Sequence, residues 1–210
     1  MSTQHPRNQI LLKHDLDLIS RGNEPLAGVD EAGRGPLAGP VLTAAVIVKD
    51  AAFTVRIDDS KKLTEKNRVK AFDEIQKQCV VSVTMRSPEV IDTLNIRQAT
   101  LESMEEAVRL LGEAPKLVIV DGPMPLRTRC PIKPIIKGDS ISLAIACASI
   151  VCKVTRDRIM AAYHKKYPEY GFDRHKGYGT KTHMDALKKY GPCPIHRKSF
   201  APVASAGRLN

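Results

Sequence analysis

The sequence contains no tryptophan, few aromatic residues and no long hydrophobic run. Aromatic residues make up 4% of the chain, too few for a protein that coats single strands with a row of stacking rings. The longest nearly apolar stretches, Pro36–Val48 and Leu143–Cys152, are shorter than the roughly 18 residues that a membrane span requires. The apolar run near the N-terminus, ILL, is too short for a signal peptide. We therefore expect a cytoplasmic protein that has no membrane partner.

The sequence also lacks cysteine pairs at the spacing of zinc ligands. The five cysteines form an odd set without a CxxC spacing, which is typical of a reduced intracellular compartment. Cys193 and His196 are three positions apart, but no second pair at this spacing completes a structural zinc site.

Acidic residues are outnumbered by basic ones. The chain has 33 Lys and Arg against 23 Asp and Glu, so its formal net charge is +10 and its pI is near 9.5. An excess of this size favours a polyanionic partner, most often nucleic acid. Charge alone does not distinguish a protein that binds a polyanion from a basic protein that binds none.

The hydrophobic pattern predicts strands first and then strands that alternate with helices. Strands are expected over residues 25–30, 39–48, 79–86, 116–122 and 131–139, and helices over 65–78, 88–111 with a break near Asn95, 140–163 and 181–190. This order indicates a mixed α/β sheet with a more helical C-terminal third. The prolines of the last strand place it at a sheet edge.

Acidic residues follow the predicted strands at several points. Asp30 and Glu31 are adjacent and are followed by glycines that permit a bend, Asp121 ends another strand, and Asp139 follows Gly138. The carboxyl ends of strands are where ligands bind in open α/β sheets. Carboxylates without a histidine at ligand spacing suit Mg²⁺ or Mn²⁺ better than zinc. Taken singly, Asp121 or Asp139 is better explained as part of an ordinary turn.

The glycines near Asp30 do not form a nucleotide-binding loop. Gly33, Gly35 and Gly39 have the spacing GxGxxxG, and the segment after them is strand-like instead of helical. A second glycine-containing stretch, GYGTKT at 177–182, lacks the GK[ST] of a phosphate loop.

These motifs together resemble the ribonuclease HII family, the type 2 ribonucleases H. The stretch GVDEAGRGPLAGPV is similar to the family signature, and six further stretches follow in the family's order. They are DSKKLT (59–64), VDG (120–122), KGDS (137–140), ASIVCKVTRDR (148–158), HKGYGTKTH (175–183) and HRKSFAPV (196–203). The resemblance covers residues 26 to 203 approximately.

The resemblance implies a ribonuclease H-like fold, a mixed β-sheet flanked by helices with a helical C-terminal region. It implies an endonuclease that cuts RNA in RNA–DNA hybrids and incises duplex DNA at single embedded ribonucleotides, and hence a role in ribonucleotide excision repair. Two divalent ions, Mg²⁺ or Mn²⁺, would support hydrolysis that leaves 5′-phosphate and 3′-hydroxyl ends.

The family's four catalytic and metal-binding acids match Asp30, Glu31, Asp121 and Asp139. Asp157 competes for the fourth place because it also lies in a matching stretch. We favour Asp139, since Asp157 falls deep in a predicted helix between two arginines and is better explained as a salt-bridge partner.

The resemblance also implies substrate contacts. The family's Gly-Arg-Gly tripeptide, matched by Gly33, Arg34 and Gly35, reads the 2′-hydroxyl, although glycines there could also merely shape the turn. The family's matching tyrosine packs on the deoxyribose that follows the ribonucleotide, which assigns this role to Tyr178; the alternative is a hydroxyl that caps local structure. Basic side chains suited to phosphates come from Lys61 and Lys62.

We expect three parts: an N-terminal extension over residues 1–22, a type 2 ribonuclease H catalytic domain over 23–203, and a tail over 204–210. We expect a monomer that needs no protein partner. Two alternatives remain at this point, another two-metal nuclease or resolvase of the same fold, and a non-catalytic basic RNA-binding protein. The second alternative gives no reason to gather carboxylates beside a phosphate backbone.

Overall fold

The computed structural model describes residues 5–206. The first four residues of the predicted extension and the last four of the predicted tail lie outside this range, and the predicted boundaries of the three parts stay predictions. No helix within residues 5–206 is both long enough and apolar enough to cross a membrane.

Eight helices and five strands make up the regular structure of the described residues. The helices are α1 (Pro6–Ser20), α2 (Glu65–Gln78), α3 (Pro88–Leu94), α4 (Ile96–Arg109), α5 (Leu143–Lys166), α6 (Phe172–His175), α7 (Lys181–Tyr190) and α8 (Ala201–Ala206). The strands are β1 (Leu26–Ala32), β2 (Val41–Val48), β3 (Cys79–Arg86), β4 (Leu117–Asp121) and β5 (Ile132–Ile135).

The five strands form one sheet in the order β3-β2-β1-β4-β5. The pairs β1–β4 and β4–β5 are parallel, and the proline-containing β5 lies at an edge as predicted. The predicted mixed sheet flanked by helices is confirmed.

One predicted strand is much shorter than expected. Residues 131–139 were expected to be extended throughout, but β5 ends at Ile135. Lys137 has a left-handed backbone with a φ of 57°, and Gly138–Ser140 form a 3₁₀ turn. Asp139 therefore lies in a turn beyond the strand instead of within it.

The chain folds into two compact units. The first unit comprises Met1–Glu31, Thr43–Thr84 and Leu101–Val154. In it, β1 and α5 pack backbone against backbone, because a Cβ atom on Gly28 would lie 2.3 Å from the carbonyl carbon of Ala144. Only glycine permits this approach.

The second unit comprises Ala32–Leu42, Met85–Thr100 and Thr155–Asn210. Its core includes two stacked rings, Tyr170 and Phe172, whose centroids are 5.3 Å apart. Two arginines, Arg156 and Arg197, are also fully buried in this unit. Burying a guanidinium is unfavourable unless its donors are satisfied, so the partners of these two side chains define the local structure.

Candidate active site

Three carboxylates meet in the first unit. Val29 of β1 pairs with Val120 of β4, so the next residue of each strand, Asp30 and Asp121, emerges at the same end of the sheet. Asp121 Oδ1 accepts a hydrogen bond of 2.6 Å from the backbone N–H of Gly138, which brings in the turn that carries Asp139. One oxygen from each of Asp30, Asp121 and Asp139 lies within 4.8 Å of the others.

The carboxylate of Asp30 is held in an unfavourable electrostatic environment. Burial raises its pKa well above the ordinary value, and the charges of Glu31 and Asp121 raise it further. A 2.7 Å hydrogen bond from the backbone N–H of Glu31 partly offsets these effects. A charged Asp30 therefore requires a compensating cation.

The pKa of Asp139 is raised by the same causes, first burial and then the charges of Asp59 and Asp121. Lys61 acts in the opposite direction and is the nearby cation. Desolvation lowers the pKa of Lys61, but Asp59, Asp139 and the other two clustered acids outweigh it, so the net pKa is raised. One lysine thus faces several acids, and the cluster retains an excess of negative charge.

The donor set suits a hard divalent ion. Three carboxylates without imidazole or thiolate match the oxygen ligands that Mg²⁺ and Mn²⁺ prefer. A divalent ion would also relieve the repulsion that raises the pKa of Asp30 and of Asp139. The residues present therefore fit a divalent metal.

The sequence offers two further acids for the site, Glu31 and Asp157. Among residues 5–206, neither belongs to a group of three potential ligands within 4.8 Å. Glu31 is close enough to raise the pKa of Asp30, whereas Asp157 acts electrostatically on its neighbour Arg156 in α5. The assignment of Glu31 as a ligand stays a prediction.

Sequence reasoning missed Ser149, a buried residue of α5. Its hydroxyl donates to the hydroxyl of Ser60, in the DSKKLT stretch, at 3.0 Å, and it is close enough to Asp30 to lower the pKa of that carboxylate. Lys62 from the same stretch donates to Ser140 Oγ at 2.9 Å. A polar residue in an otherwise apolar helix segment was the available signal for Ser149.

In the second unit, a buried arginine organises the tripeptide Gly33–Arg34–Gly35. Arg197 donates from Nη1 to the carbonyl of Arg34 at 2.9 Å, from Nη2 to that of Gly33 at 2.5 Å, and from Nε to that of Gly39 at 3.0 Å. Gly33 has a φ of 95°, and a Cβ atom there would lie 2.1 Å from Arg156 Nε. Gly33 is thus required by the turn itself.

Gly35 differs from Gly33. A Cβ atom on Gly35 would make an ordinary 3.6 Å contact with Cε1 of Tyr178, so the two predicted substrate-binding residues lie side by side. Tyr178 is 48% exposed, and its backbone carbonyl accepts a 2.9 Å hydrogen bond from His183 Nδ1. Its ring is therefore accessible while its backbone is fixed.

A comparison with protein families gives a match to the model described as ribonuclease HII over residues 27–203. The chain belongs to the ribonuclease HII family. It is 53% identical over 189 residues to ribonuclease HII of Bradyrhizobium diazoefficiens, covering 90% of this chain and 72% of that protein. It is 49% identical over 200 residues to ribonuclease HII of Geotalea daltonii, covering 95% of this chain and 93% of that protein.

Solved structures agree with this family. The crystal structure of ribonuclease H2 from Pyrococcus horikoshii OT3 is similar with a TM-score of 0.75 and 27% identity, covering 88% of this chain and 97% of that one. The ribonuclease H-like fold and the predicted family are confirmed. As a ribonuclease HII the protein is an endonuclease of the ribonuclease H type, which hydrolyses the RNA strand of RNA–DNA hybrids. Family membership favours this activity over both alternatives.

Proposed function

We propose that this ribonuclease HII also incises duplex DNA at single embedded ribonucleotides, by hydrolysis that depends on two divalent ions, Mg²⁺ or Mn²⁺. The observation that carries the proposal is the approach of Asp30, Asp121 and Asp139 within 4.8 Å. Bound divalent ions would activate water for attack on a phosphodiester and stabilise the leaving oxygen. The products would carry 5′-phosphate and 3′-hydroxyl ends.

Four acids would hold the ions: Asp30, Glu31, Asp121 and Asp139. The backbone N–H of Glu31 orients the Asp30 carboxylate, and the N–H of Gly138 orients that of Asp121. Such supporting hydrogen bonds fix the lone pairs that a metal ion uses. The chain therefore contributes position and negative charge, and no side chain acts as a nucleophile.

Recognition of the ribonucleotide is proposed for Gly33, Arg34 and Gly35. A 2′-hydroxyl both donates and accepts hydrogen bonds, and backbone groups beside glycine can approach a sugar closely. Arg197 donates to the carbonyls of Gly33 and Arg34, which supports a tripeptide whose backbone is organised before substrate binds. Preorganisation of this kind reduces the entropic cost of recognition.

Recognition of the neighbouring deoxynucleotide is proposed for Tyr178. Its half-exposed ring lies beside Gly35, so a sugar contacted by the tripeptide would bring the adjacent sugar toward the ring. Stacking on an aromatic ring is tolerant of base sequence, as a repair activity needs. Lys61 and Lys62 are exposed in the first unit and would contact phosphates.

The cellular role and the oligomeric state are proposed to match this activity. We propose ribonucleotide excision repair in the cytoplasm, carried out by a monomer without an obligate protein partner. The net charge of +10 supports association with the nucleic-acid backbone.

Three matched duplexes test the proposed function. One has a single ribonucleotide in one DNA strand, one is all DNA in the same sequence, and one is an RNA–DNA hybrid. With Mg²⁺ or Mn²⁺ we expect the first and third to be cut and the second to remain intact, and with EDTA we expect no cleavage. End-group analysis should give 5′-phosphate and 3′-hydroxyl ends. Cleavage of the hybrid alone would contradict the proposed ribonucleotide incision.

A further inference from the structure

Helix α1 precedes the part of the chain that matches the family model, which begins at residue 27. It is nevertheless built into the first unit. Asn8 is 1% exposed, donates to the carbonyl of Val55 at 2.9 Å and accepts from the N–H of Ile57 at 2.8 Å. Leu11 is fully buried, so α1 is packed in place.

Arg7 in the first turn of α1 reaches the turn that carries Asp139. Its Nη2 donates to the backbone carbonyl of Ser140 at 2.9 Å and to Asp58 Oδ1 at 3.0 Å. Ser140 is the last residue of the Gly138–Ser140 turn. A hydrogen bond to that carbonyl therefore constrains the backbone directly after Asp139.

Asp15, two turns further along α1, contacts the other end of the same segment. Its carboxylate is 3% exposed and accepts a 2.9 Å hydrogen bond from the N–H of Ala144. Ala144 lies in the first turn of α5, where backbone N–H groups have no partner within the helix. A negative charge is stabilising there. Arg7 and Asp15 thus hold the chain on both sides of residues 141–143.

The turn that carries Asp139 ends at the first of these contacts, the Ser140 carbonyl, and the charges around it call for a restraint from outside the turn. Asp139 is repelled by Asp59 and Asp121, and the strand that leads into the turn, β5, has four residues at the sheet edge. Repulsion among the carboxylates therefore favours movement of Asp139 away from the cluster. Contacts from a packed helix oppose that movement.

We propose that α1 is a positioning element for the metal site, in which Arg7 and Asp15 keep Asp139 within reach of Asp30 and Asp121. The inference rests on the proposed function, because it takes these acids as metal ligands. Neither Arg7 nor Asp15 contacts the ion or the substrate in this proposal. Their contribution is to metal affinity, and the rate at saturating metal is expected to be nearly unchanged.

Arg7→Met is the main test, since methionine retains an apolar stem and removes the donor. Binding of Mn²⁺ to the protein alone is measured by isothermal titration calorimetry, and the Mg²⁺ concentration for half-maximal cleavage is measured on the RNA–DNA hybrid. We expect the Mn²⁺ dissociation constant and this Mg²⁺ concentration each to rise about 3- to 10-fold. This is less than the roughly 10- to 100-fold typical of groups that hydrogen-bond a metal ligand directly, because Arg7 acts through the backbone of Ser140. Arg7→Lys should restore both to within about twofold, because both hydrogen bonds come from one nitrogen that an ammonium can replace.

Arg21→Met is the matched control, since Arg21 pairs with Asp17 at the exposed far end of α1. It should leave both measurements unchanged. Unaltered Mn²⁺ affinity in a folded Arg7→Met protein would overturn the inference, and so would an equal change in Arg21→Met or a failure of Arg7→Lys to restore affinity.

Asp15 gives an independent test if Arg7→Met does not fold. Asp15→Asn keeps an acceptor for the Ala144 N–H and Asp15→Ala removes it, so only the second should weaken Mn²⁺ binding. Equal affinities in the two variants would overturn the inference. If the parent protein binds no Mn²⁺ and cleaves no substrate, the proposed function is contradicted. If the parent binds Mn²⁺ but no more tightly than the Arg7 variant, only the inference about α1 is contradicted.

Discussion

The Nε2 atoms of His183 and His196 lie 3.0 Å apart in the second unit, so one imidazole donates a hydrogen bond to the other. His196 Nδ1 accepts from the N–H of Cys193, which leaves its Nε2 as the donor. His183 Nδ1 in turn donates to the carbonyl of Tyr178. Both rings must be neutral for this chain of hydrogen bonds to exist, because a protonated ring would place N–H against N–H.

Protein stability should therefore fall in weak acid. Burial and the neighbouring His183 lower the pKa of His196 from 6.5 to about 4, so between these values the unfolded chain binds more protons than the folded one. Stability then rises with pH across this window and is lost as pH falls from about 6.5 toward 4. For His196 the full effect is about 3 kcal/mol.

Urea unfolding of the parent and of His196→Gln at pH 7.5, 6 and 5 measures this effect. Glutamine can still donate a hydrogen bond toward His183 but does not titrate. The stability of the His196→Gln protein should therefore depend less on pH than that of the parent. His5→Gln, at the N-terminus of α1, is the control and should keep the parent's pH dependence. Identical slopes for the parent and His196→Gln would show that His196 is not responsible.

Asp30→Asn should have opposite effects on stability and activity. Without metal, the buried carboxylate of Asp30 is repelled by Glu31 and Asp121, and an amide of the same shape removes this repulsion. At pH 8 and in EDTA we expect a gain of about 1 kcal/mol, which is a few degrees in melting temperature. In Mg²⁺ we expect no detectable cleavage.

Thermal unfolding with and without Mg²⁺, beside the hybrid cleavage assay, checks this prediction. Asp185→Asn is the control, since Asp185 is exposed and pairs with Lys181; its stability should change by less than about 0.5 kcal/mol. Near-parent turnover of Asp30→Asn in Mg²⁺ would remove Asp30 from the metal site.

Asp139→Asn and Asp157→Asn decide which acid is the fourth ligand. Only Asp139 lies with Asp30 and Asp121 in the described structure, so Asp139→Asn should reduce cleavage by at least about 100-fold. Asp157→Asn should retain most of the activity. The measurement is the initial rate on the hybrid at several Mg²⁺ concentrations, and the reverse order of the two rates would assign the role to Asp157.

Gly35→Ala tests ribonucleotide recognition without disturbing the fold. The added methyl group meets only an ordinary contact with Tyr178, so the melting temperature should stay unchanged. A methyl group at the sugar would displace the substrate, and a displacement of about 1 Å costs on the order of 100-fold in rate. We expect at least a tenfold loss on the single-ribonucleotide duplex.

Gly112→Ala is the matched control, because a Cβ atom there meets only Val80 at 3.8 Å. Parent-like cleavage by both variants would mean that Gly35 does not approach the sugar. Gly33→Ala is unsuitable for this test, since its Cβ atom would clash with Arg156.

Tyr178→Ala and Tyr178→Phe separate the ring from the hydroxyl. Stacking of a base on an aromatic ring is worth about 1–3 kcal/mol. With a sugar contact of the same order, loss of the ring should weaken cleavage of the single-ribonucleotide duplex by about 5- to 150-fold. Tyr178→Phe should lose far less. Equal losses measured on that duplex would point to the hydroxyl, and no loss in either variant would remove Tyr178 from the substrate site.

The sequence predicted the elements of this fold well where hydrophobic period and caps agreed. Helix α2 covers the predicted range 65–78, and the hydroxyl of Thr64, directly before it, accepts from the N–H of Asn67. The break between α3 and α4 falls at Asn95, which has a φ of 69°. Local signals of this kind are sufficient because capping and backbone preference act over a few residues.

The turn around Asp139 could not be predicted in the same way. It depends on contacts from distant parts of the chain, namely the Gly138 N–H to Asp121 and the Ser140 carbonyl to Arg7. The burial of Arg156 and Arg197 could not be predicted from the sequence either. Both side chains donate to main-chain carbonyls, which are present in every sequence and leave no pattern. Periodicity assigns charged residues to the surface, and the exceptions here lie beside the predicted substrate-binding residues.

The second unit is assembled from three separate segments, residues 32–42, 85–100 and 155–210. A chimaera made with a single crossover between residues 42 and 155, joining this gene to that of a relative, would therefore combine segments of mixed parentage within one core. Buried contacts such as Arg197 with the Gly33 carbonyl would then pair residues with different ancestries. Recombination libraries for this enzyme should exchange all three segments together, and the tolerated crossover sites should come in matched sets.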